Sequence, residues 1–414
     1  MPTPGVLRFL RERGLVAQVT HEEALQELLD REPVTVYCGF DPTADSLHVG
    51  HLRPILLLMH LQRFGHRPIA VVGGGTAMVG DPTGKTEARP ILDRSVIEAH
   101  AARFKVQLAR FLDFSEGRAL MVDNAEWLLP LNYLSFLREV GSQFSVNQML
   151  TAEAFRTRME RGLSFLEFNY MLLQAYDYLT LYRRYGCRLQ VGGDDQWSNI
   201  LAGIDLIRRL ERGQAYGLTC PLAVTASGRK MGKTEAGAVW LDPAKTSPYD
   251  FFQFWRSVDD ADVANFLAVY TLLPMDEVRR LGELTGAAIN EAKKVLAFEV
   301  TRLVHGEEAA RQAQEAAEAL FESEGGQARA VEGAPTTELR RAEAEAGIAL
   351  LDLLVETGLA PSKSEGRRLV LQGGVYLNEV RVGEPTYTVT LQDFRDGRLL
   401  LRKGKKVYHQ VVVR

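Results

Sequence analysis

Apolar runs and amphipathic stretches alternate along the first half of the chain. VTVYCGF (34–40) is a β-branched and aromatic run of strand length. A helical pattern follows from about Leu47 to Phe64, and RPIAVVGGG (67–75) is a second apolar run closing on glycines. A charged helix covers roughly 93–112, and ALMVD (119–123) reads as another strand. Helices then dominate as far as CRLQVGG (187–193), again strand-like, before a helix from about Gln196 to Glu211. Strands alternating with helices predict a parallel sheet covered on both faces, and ligands of such sheets bind beyond the carboxyl ends of the strands.

The pattern changes further along. Residues 248–322 are helical without clear strands, and FESEGGQARAVEGAPTTE (321–338) is rich in Gly, Ala and polar residues, as linkers are. From GIALLDLLVETGL (347–359) onward, two short helices precede strands. The organisation read from this is α/β. A sheet domain spans 1–247, an α-helical domain 248–322, a linker 323–346 and a small α+β domain 347–414. No internal repeat interrupts it.

Length and composition fit this division. A chain of 414 residues with 46% hydrophobic and 25% charged residues can build two or three domains with proper cores. The net charge of −4 excludes a chain coated in nucleic-acid-binding charge. The charge is uneven, however: residues 352–414 carry 11 Lys and Arg against 7 Asp and Glu. A basic tail on an acidic body suggests a small polyanion-binding module, although charge alone supports a chance fluctuation equally well.

Cys38, Cys187 and Cys220 are far apart and odd in number, so neither a zinc site nor a disulfide frame is expected. The N-terminal MPTPGVLRFLRERG lacks the apolar core of a signal peptide, and ILLLMHL is too short to span a membrane. The expectation is a cytoplasmic protein with no membrane association.

The candidate chemistry starts at DPTADSLHVGH (41–51), where a strand turns into a helix. His48 and His51 are two ligands where zinc needs three or four, and no further ligand sits at metal spacing nearby. Packing alone leaves Gly50 and the small polar loop without a reason. Phosphate binding accounts for more: the turn aims backbone N–H groups and a positive helix end at the sheet edge. Gly50 admits a close ligand, and two imidazoles can donate hydrogen bonds. GDPTGKT (80–86) approaches a P-loop, but the required glycine falls on Val79, so that motif fails. SGRKMGKT (227–234) places Lys230 and Lys233 three apart in a glycine-bearing loop suited to phosphates.

EFNYMLLQAYDYLTLY (167–182) is an apolar helix with a polar stripe of Tyr170, Gln174 and Asp177 on one face. A buried carboxylate needs a partner. A salt bridge to an arginine and a polar-ended slot for a ligand both satisfy that need. In VGGDDQW (191–197) the acidic pair suits either a ligand or a helix N-cap, Asp194 being the better cap.

His48-Val49-Gly50-His51 resembles the histidine signature of class I aminoacyl-tRNA synthetases, with one apolar replacement. Lys230-Met231-Gly232-Lys233-Thr234 resembles their lysine signature loop, with Gly and Thr where the family has serines. YCGFDPTADSLHVGH, GDPTGK, QAYDY, VGGDDQW and KMGKT follow the order and approximate spacing of the bacterial tyrosyl branch. APSKSEGRRLVLQGGVYLNEVRV (360–382) resembles the small RNA-binding domain shared with a ribosomal small-subunit protein, an appendage the tryptophanyl branch usually lacks.

This resemblance implies a Rossmann-like catalytic domain and a two-step reaction. Tyrosine is activated by ATP to tyrosyl-adenylate, and the tyrosyl group passes to the 3′ end of tRNA(Tyr). It implies catalytic roles for Thr43, His48, His51, Lys230 and Lys233. Tyrosine would contact Tyr37 and Asp177 through its phenol, Tyr170, Gln174 and Asp81 through its ammonium, and Gln196 near its carboxylate. ATP would lie on Gly39, Asp41, His48, Gly50, His51, Gly193, Asp195, Lys230, Lys233 and Thr234. Arg367, Arg368, Lys403, Lys405 and Lys406 are the implied tRNA contacts. The partners implied are ATP with Mg²⁺, L-tyrosine, tRNA(Tyr) and a second copy in a homodimer, with no prosthetic group and no all-protein metal site. The alternatives are a tryptophanyl-type enzyme, a nucleotidyltransferase acting on another small acid, and a non-catalytic RNA-binding paralogue.

Overall fold

The computed structural model describes residues 5–83, 92–152, 155, 159–160, 162–228, 230–234, 237–322, 335–378, 380–404 and 407–414, without the side chains of Lys233, Thr234 and 319–322. These residues form two compact units. The first comprises 1–233, 238–242 and 259–286, and the second 234–237, 243–258 and 287–414.

The first unit is built on β1 (Thr35–Phe40), β2 (Arg67–Val72), β3 (Leu120–Asp123), β4 (Cys187–Gly193) and β5 (Tyr216–Cys220). Their order is β3-β2-β1-β4-β5, and every neighbouring pair is parallel. Continuous apolar runs suit strands buried on both faces, and β2 and β5 are buried at nearly every position. Below one face, Tyr37, Ile69 and Val71 pack with Met171, Ala175, Tyr178 and Leu179 from the helix Tyr170–Tyr185. That helix ends on Gly186 in the left-handed conformation, and β4 follows at once.

Four of the five strands were legible as apolar runs, whereas β5 (YGLTC) was not. The boundary expected at 247 also differs from the division seen. The helices Val263–Tyr270 and Met275–Gly282 belong to the first unit. Two buried arginines explain this. Arg13 donates to the carbonyls of Ala268 (2.9 Å), Thr271 (2.7 Å) and Leu273, while Arg53 Nε donates to the Tyr270 hydroxyl (2.9 Å). Carbonyls at a helix end have no partner within the helix, and a guanidinium supplies donors for them.

The second unit holds the helices Pro248–Arg256, Ile289–His305 and Glu307–Glu322, packed on one another. Phe251, Phe252 and Trp255 are fully buried there. Its sheet joins Val380–Arg381, Val375–Leu377, Arg398–Lys403, Val407–Val413 and Thr336–Leu339 in that order. The helices Leu350–Glu356 and Lys363–Leu371 contribute to the core of that sheet. Part of the expected linker is therefore structured. Thr336–Leu339 pairs in parallel with Val407–Val413, and the helix Arg341–Ala346 follows. Residues 323–334 of that linker lie outside the described residues. Among the described residues, no helix is long and apolar enough to cross a membrane.

Candidate active site

The strand order turns about β1, with β2 on one side and β4 on the other. Outside the carboxyl ends of these strands lies a cavity of about 530 Å³. A parallel sheet places its ligand crevice at such a point, and the volume suits a small substrate.

One end of the cavity is a dry polar slot. Asp177, on the helix Tyr170–Tyr185, is 4% exposed. Its Oδ1 accepts from Trp127 Nε1 (2.7 Å) and its Oδ2 from Asn124 Nδ2 (2.9 Å). Burial pushes its carboxyl up to about 7, against the two hydrogen bonds that hold it down. Among the described residues no arginine pairs with it, which favours the slot over the salt-bridge reading of the polar stripe. Tyr37, on β1, is 1% exposed, and its hydroxyl has no hydrogen-bond partner among the described residues. Burial, and next the charge of Asp177, raise that phenol well above its usual range. Gln190, opposite Tyr37 on β4, presents a second buried and unpartnered oxygen to the same cavity. Buried polar atoms are normally paired, so this cluster marks a place prepared for a polar ligand group.

The floor is a network of carboxylates. Asp41, just past β1, accepts from the Tyr170 hydroxyl (2.8 Å) and the Thr76 hydroxyl (2.7 Å). Asp81 accepts from Gln196 Nε2 (2.8 Å) and the Thr83 amide (2.9 Å). Gln174 lines the cavity beside them. Gly39, Gly193 and Asp195 line it as well, and a Cβ on Gly39 would meet nothing within 4 Å.

The histidine turn forms the other wall. The Gly50 amide donates to His48 Nδ1 (3.0 Å), and the His48 amide donates to His51 Nδ1 (3.1 Å). A neutral imidazole that accepts at Nδ1 carries its proton on Nε2, so both rings are set as Nε2–H donors. A Cβ on Gly50 would stand 2.7 Å from His48 Cε1, so glycine here lets the ring fold back on its own turn. Thr43 lines the same wall.

The lysine loop is seated against this turn by its backbone. The Val239 amide donates to the Gly232 carbonyl (2.8 Å), the Val49 amide to the Val239 carbonyl (3.0 Å), and the Leu241 amide to the Leu47 carbonyl (2.8 Å). Two motifs nearly 180 residues apart in sequence are thus joined through one extended segment. Lys230 is exposed and stands outside the cavity lining. The side chains of Lys233 and Thr234 lie outside the described residues, as do Gly84 and Lys85 of GDPTGK.

In the second unit, Arg367 and Arg368 are exposed on the helix Lys363–Leu371, and Arg368 pairs with Glu365 (2.7 Å). Lys403 ends the strand Arg398–Lys403, while Lys405 and Lys406 lie outside the described residues.

Asn124, Trp127, Thr76 and Gln190, which line the cavity or hydrogen-bond to Asp177 and Asp41, are residues of the candidate site that sequence reasoning missed. Gln190 was the one with a signal, an uncharged polar side chain between Leu189 and Val191 in a largely apolar strand. Asp194 is not the helix cap expected; it accepts from Gln18 Nε2 (2.8 Å) and the Thr219 hydroxyl (2.7 Å), tying β4 to β5. The three cysteines are buried and unpaired.

Comparison with known proteins agrees with this geometry. Residues 29–322 match the model of the class I tRNA synthetases (W and Y), and residues 327–411 match that of the tyrosine–tRNA ligase SYY-like C-terminal domain. A tyrosine–tRNA ligase of Caldanaerobacter subterraneus subsp. tengcongensis is 58% identical over 99% of this chain and 100% of its own length. One of Acetivibrio thermocellus is 57% identical over 98% and 99%. The crystal structure of a C-terminally truncated mitochondrial tyrosyl-tRNA synthetase of Aspergillus nidulans superposes with a TM-score of 0.69 at 30% identity, over 77% of this chain and 95% of that one. On full-length likeness at this level, the chain belongs to the tyrosine–tRNA ligases of the class I synthetase family.

Proposed function

We propose that this cavity activates L-tyrosine with ATP and delivers the tyrosyl group to tRNA(Tyr). The observation that carries the reading is the buried pair Asp177 and Tyr37 at one end of a cavity whose other wall is the His48–His51 turn. The substrate phenol donates to the Asp177 carboxylate as a third donor beside Trp127 and Asn124, and accepts from the Tyr37 hydroxyl, which thereby gains the partner it lacks. Asp81, Tyr170 and Gln174 receive the ammonium, and Gln196 lies near the carboxylate.

The tyrosine carboxylate then attacks the α-phosphorus of ATP, and pyrophosphate leaves. No protein nucleophile is required. The work consists of aligning the two reactants and offsetting charge that builds on the phosphates. His48 and His51 supply fixed Nε2–H donors, and Thr43, Lys230 and Lys233 complete the phosphate end. Gly39, Asp41, Gly193 and Asp195 face the nucleoside. Mg²⁺ enters with ATP as part of the substrate, since it keeps water and phosphate ligands and needs few protein carboxylates.

The basic C-terminal stretch 352–414 holds the tRNA through Arg367, Arg368 and Lys403, with Lys405 and Lys406 beside them. The enzyme works in the cytoplasm as a homodimer. Leu134 and Phe165 are 70% and 69% exposed, with Tyr133 and Val146 also exposed nearby in the sequence, and a second copy would cover them.

ATP–pyrophosphate exchange with tyrosine, tryptophan and phenylalanine tests the reading. Tyrosine alone should support exchange. Comparable exchange with either competitor would contradict the assignment of the slot.

A further inference from the structure

The stretch from β5 into the lysine loop is held from outside by a segment with no assigned role. Arg53, in the first turn of the helix Leu52–Arg63, donates from Nη1 to the carbonyls of Pro221 (3.1 Å) and Leu222 (3.0 Å) as the chain leaves β5. The same guanidinium donates from Nε to the Tyr270 hydroxyl. The Tyr270 hydroxyl in turn donates to Met231 Sδ (3.7 Å), between the two signature lysines. At the other end of the loop, Asp262 Oδ1 accepts from the Ala226 amide (2.7 Å). Between these anchors the chain doubles back: the Met231 amide donates to the Ala223 carbonyl (2.7 Å), and Val224 bridges Lys230.

Asp262 precedes the helix Val263–Tyr270 and Tyr270 is its last residue, and both are buried. Burying a carboxylate and a phenol is costly unless each has a partner. Here the partners are the backbone at one end of the loop and a side chain at the other. Neither residue lines the cavity. The helix between them is short and rigid, so it fixes the distance between the two anchor points. The base of the loop therefore cannot drift while its lysines reach for phosphate.

We propose that Tyr270 and Asp262 are positioning residues for the lysine loop during adenylate formation. This rests on the reading that Lys233 acts on the ATP phosphates. The pair acts through the loop and not on tyrosine, so its loss should appear in the rate of adenylation and leave tyrosine binding alone. Specificity for the phenol, read at the far end of the cavity, should not change either.

The test is pre-steady-state adenylation by the full-length enzyme. Tyr270→Phe deletes one hydroxyl and keeps the ring. It removes both the bond to Met231 and the acceptor for Arg53 Nε, and should slow adenylate formation about 3- to 10-fold with tyrosine Kd unchanged. In a Lys233→Ala background the same substitution should cost less than about twofold, because contacts that act through one group do not add. Asp262→Ala should slow the step similarly, and Asp262→Asn, which keeps an Oδ1 acceptor for the Ala226 amide, should restore it. Adenylation unaffected by Tyr270→Phe, an equal loss in both backgrounds, or a weakened tyrosine Kd would overturn this inference alone. No effect of Lys233→Ala by itself would overturn the phosphate reading and this inference with it.

Discussion

Gly232 packs directly on Val49. Its backbone lies in the left-handed region at φ 73°, and a Cβ there would stand 3.0 Å from Val49 Cβ and 3.4 Å from the Gly50 nitrogen. The lysine loop thus touches the histidine turn at a point where only glycine fits. Gly232→Ala should push the two apart and also meet the left-handed penalty, about 1–2 kcal/mol. Adenylate formation should slow at least about tenfold, with tyrosine Kd held within twofold. Rapid-quench kinetics with equilibrium tyrosine titration separates the two quantities, and a tyrosine Kd that rises while the rate stays intact would remove this contact from the phosphate end.

The Asp177 carboxyl gives tyrosine binding a pH dependence. Burial brings it to about 7 in the ligand-free enzyme, and a phenol donor adds a hydrogen bond that favours its charged form. Its pKa in the complex therefore falls below 7. Tyrosine affinity should be full above pH 7 and weaken as pH drops, by up to about tenfold per unit. Asp177→Asn should bind less tightly at pH 8 and lose this dependence. The same slope in both proteins would assign the titration to another group.

Acid should destabilise the fold through His60. The ring is 1% exposed, neither nitrogen has a hydrogen-bond partner among the described residues, and burial, with Arg13 and Arg63 nearby, lowers its pKa to about 3. An imidazole of this kind takes up its proton only on unfolding. Its contribution is complete above the free-histidine value near 6.5 and is lost as pH falls from there towards 3, at about 1.4 kcal/mol per unit. His60→Leu should therefore lose less Tm than the parent between pH 7 and pH 5. An identical fall in Tm would acquit His60.

The tail prediction takes a different cut from the one composition suggests. Ending the chain near Glu338, inside the stretch that composition marks as a linker, would split the strand Thr336–Leu339, which completes the sheet of the second unit. A chain ending at Glu322 removes that sheet whole and keeps every residue assigned to tyrosine and ATP. It should retain ATP–pyrophosphate exchange and lose most aminoacylation. In the full chain, Arg367→Ala with Arg368→Ala should flatten the salt dependence of tRNA binding by about 0.7–0.9 in log–log slope per lost contact. Equal loss of exchange and charging in the truncated chain would give the tail a structural role instead.

The parallel sheet was legible because β1, β2 and β4 are six- or seven-residue apolar runs that hold or precede glycine, and β3 is a shorter apolar run. β5 escaped because Tyr216–Cys220 holds a glycine and a threonine and is made a strand by burial beside β4. The polar stripe Tyr170–Gln174–Asp177 was legible because a helix repeats on one face. Its partners Asn124 and Trp127 were not, since they follow a different strand some 50 residues earlier and nothing local marks them. The allocation of 259–286 escaped for the same reason. Arg13 and Arg53 reach it across more than 200 residues of sequence, and helical periodicity carries no record of such contacts.

Recognition of the tyrosine phenol by Asp177 and Tyr37 is the central step. The direct measurement is the ratio of kcat/KM for tyrosine over phenylalanine in exchange, for the parent enzyme, Tyr37→Phe and Asp177→Ala. Phenylalanine withholds the phenol donor from the buried Asp177 carboxyl and leaves the Tyr37 hydroxyl unpaired, which should cost about 100-fold, so the parent ratio should be large and should fall in Tyr37→Phe. Asp177→Ala should lose most tyrosine activation. A ratio unchanged in Tyr37→Phe together with full tyrosine activation by Asp177→Ala would contradict the account.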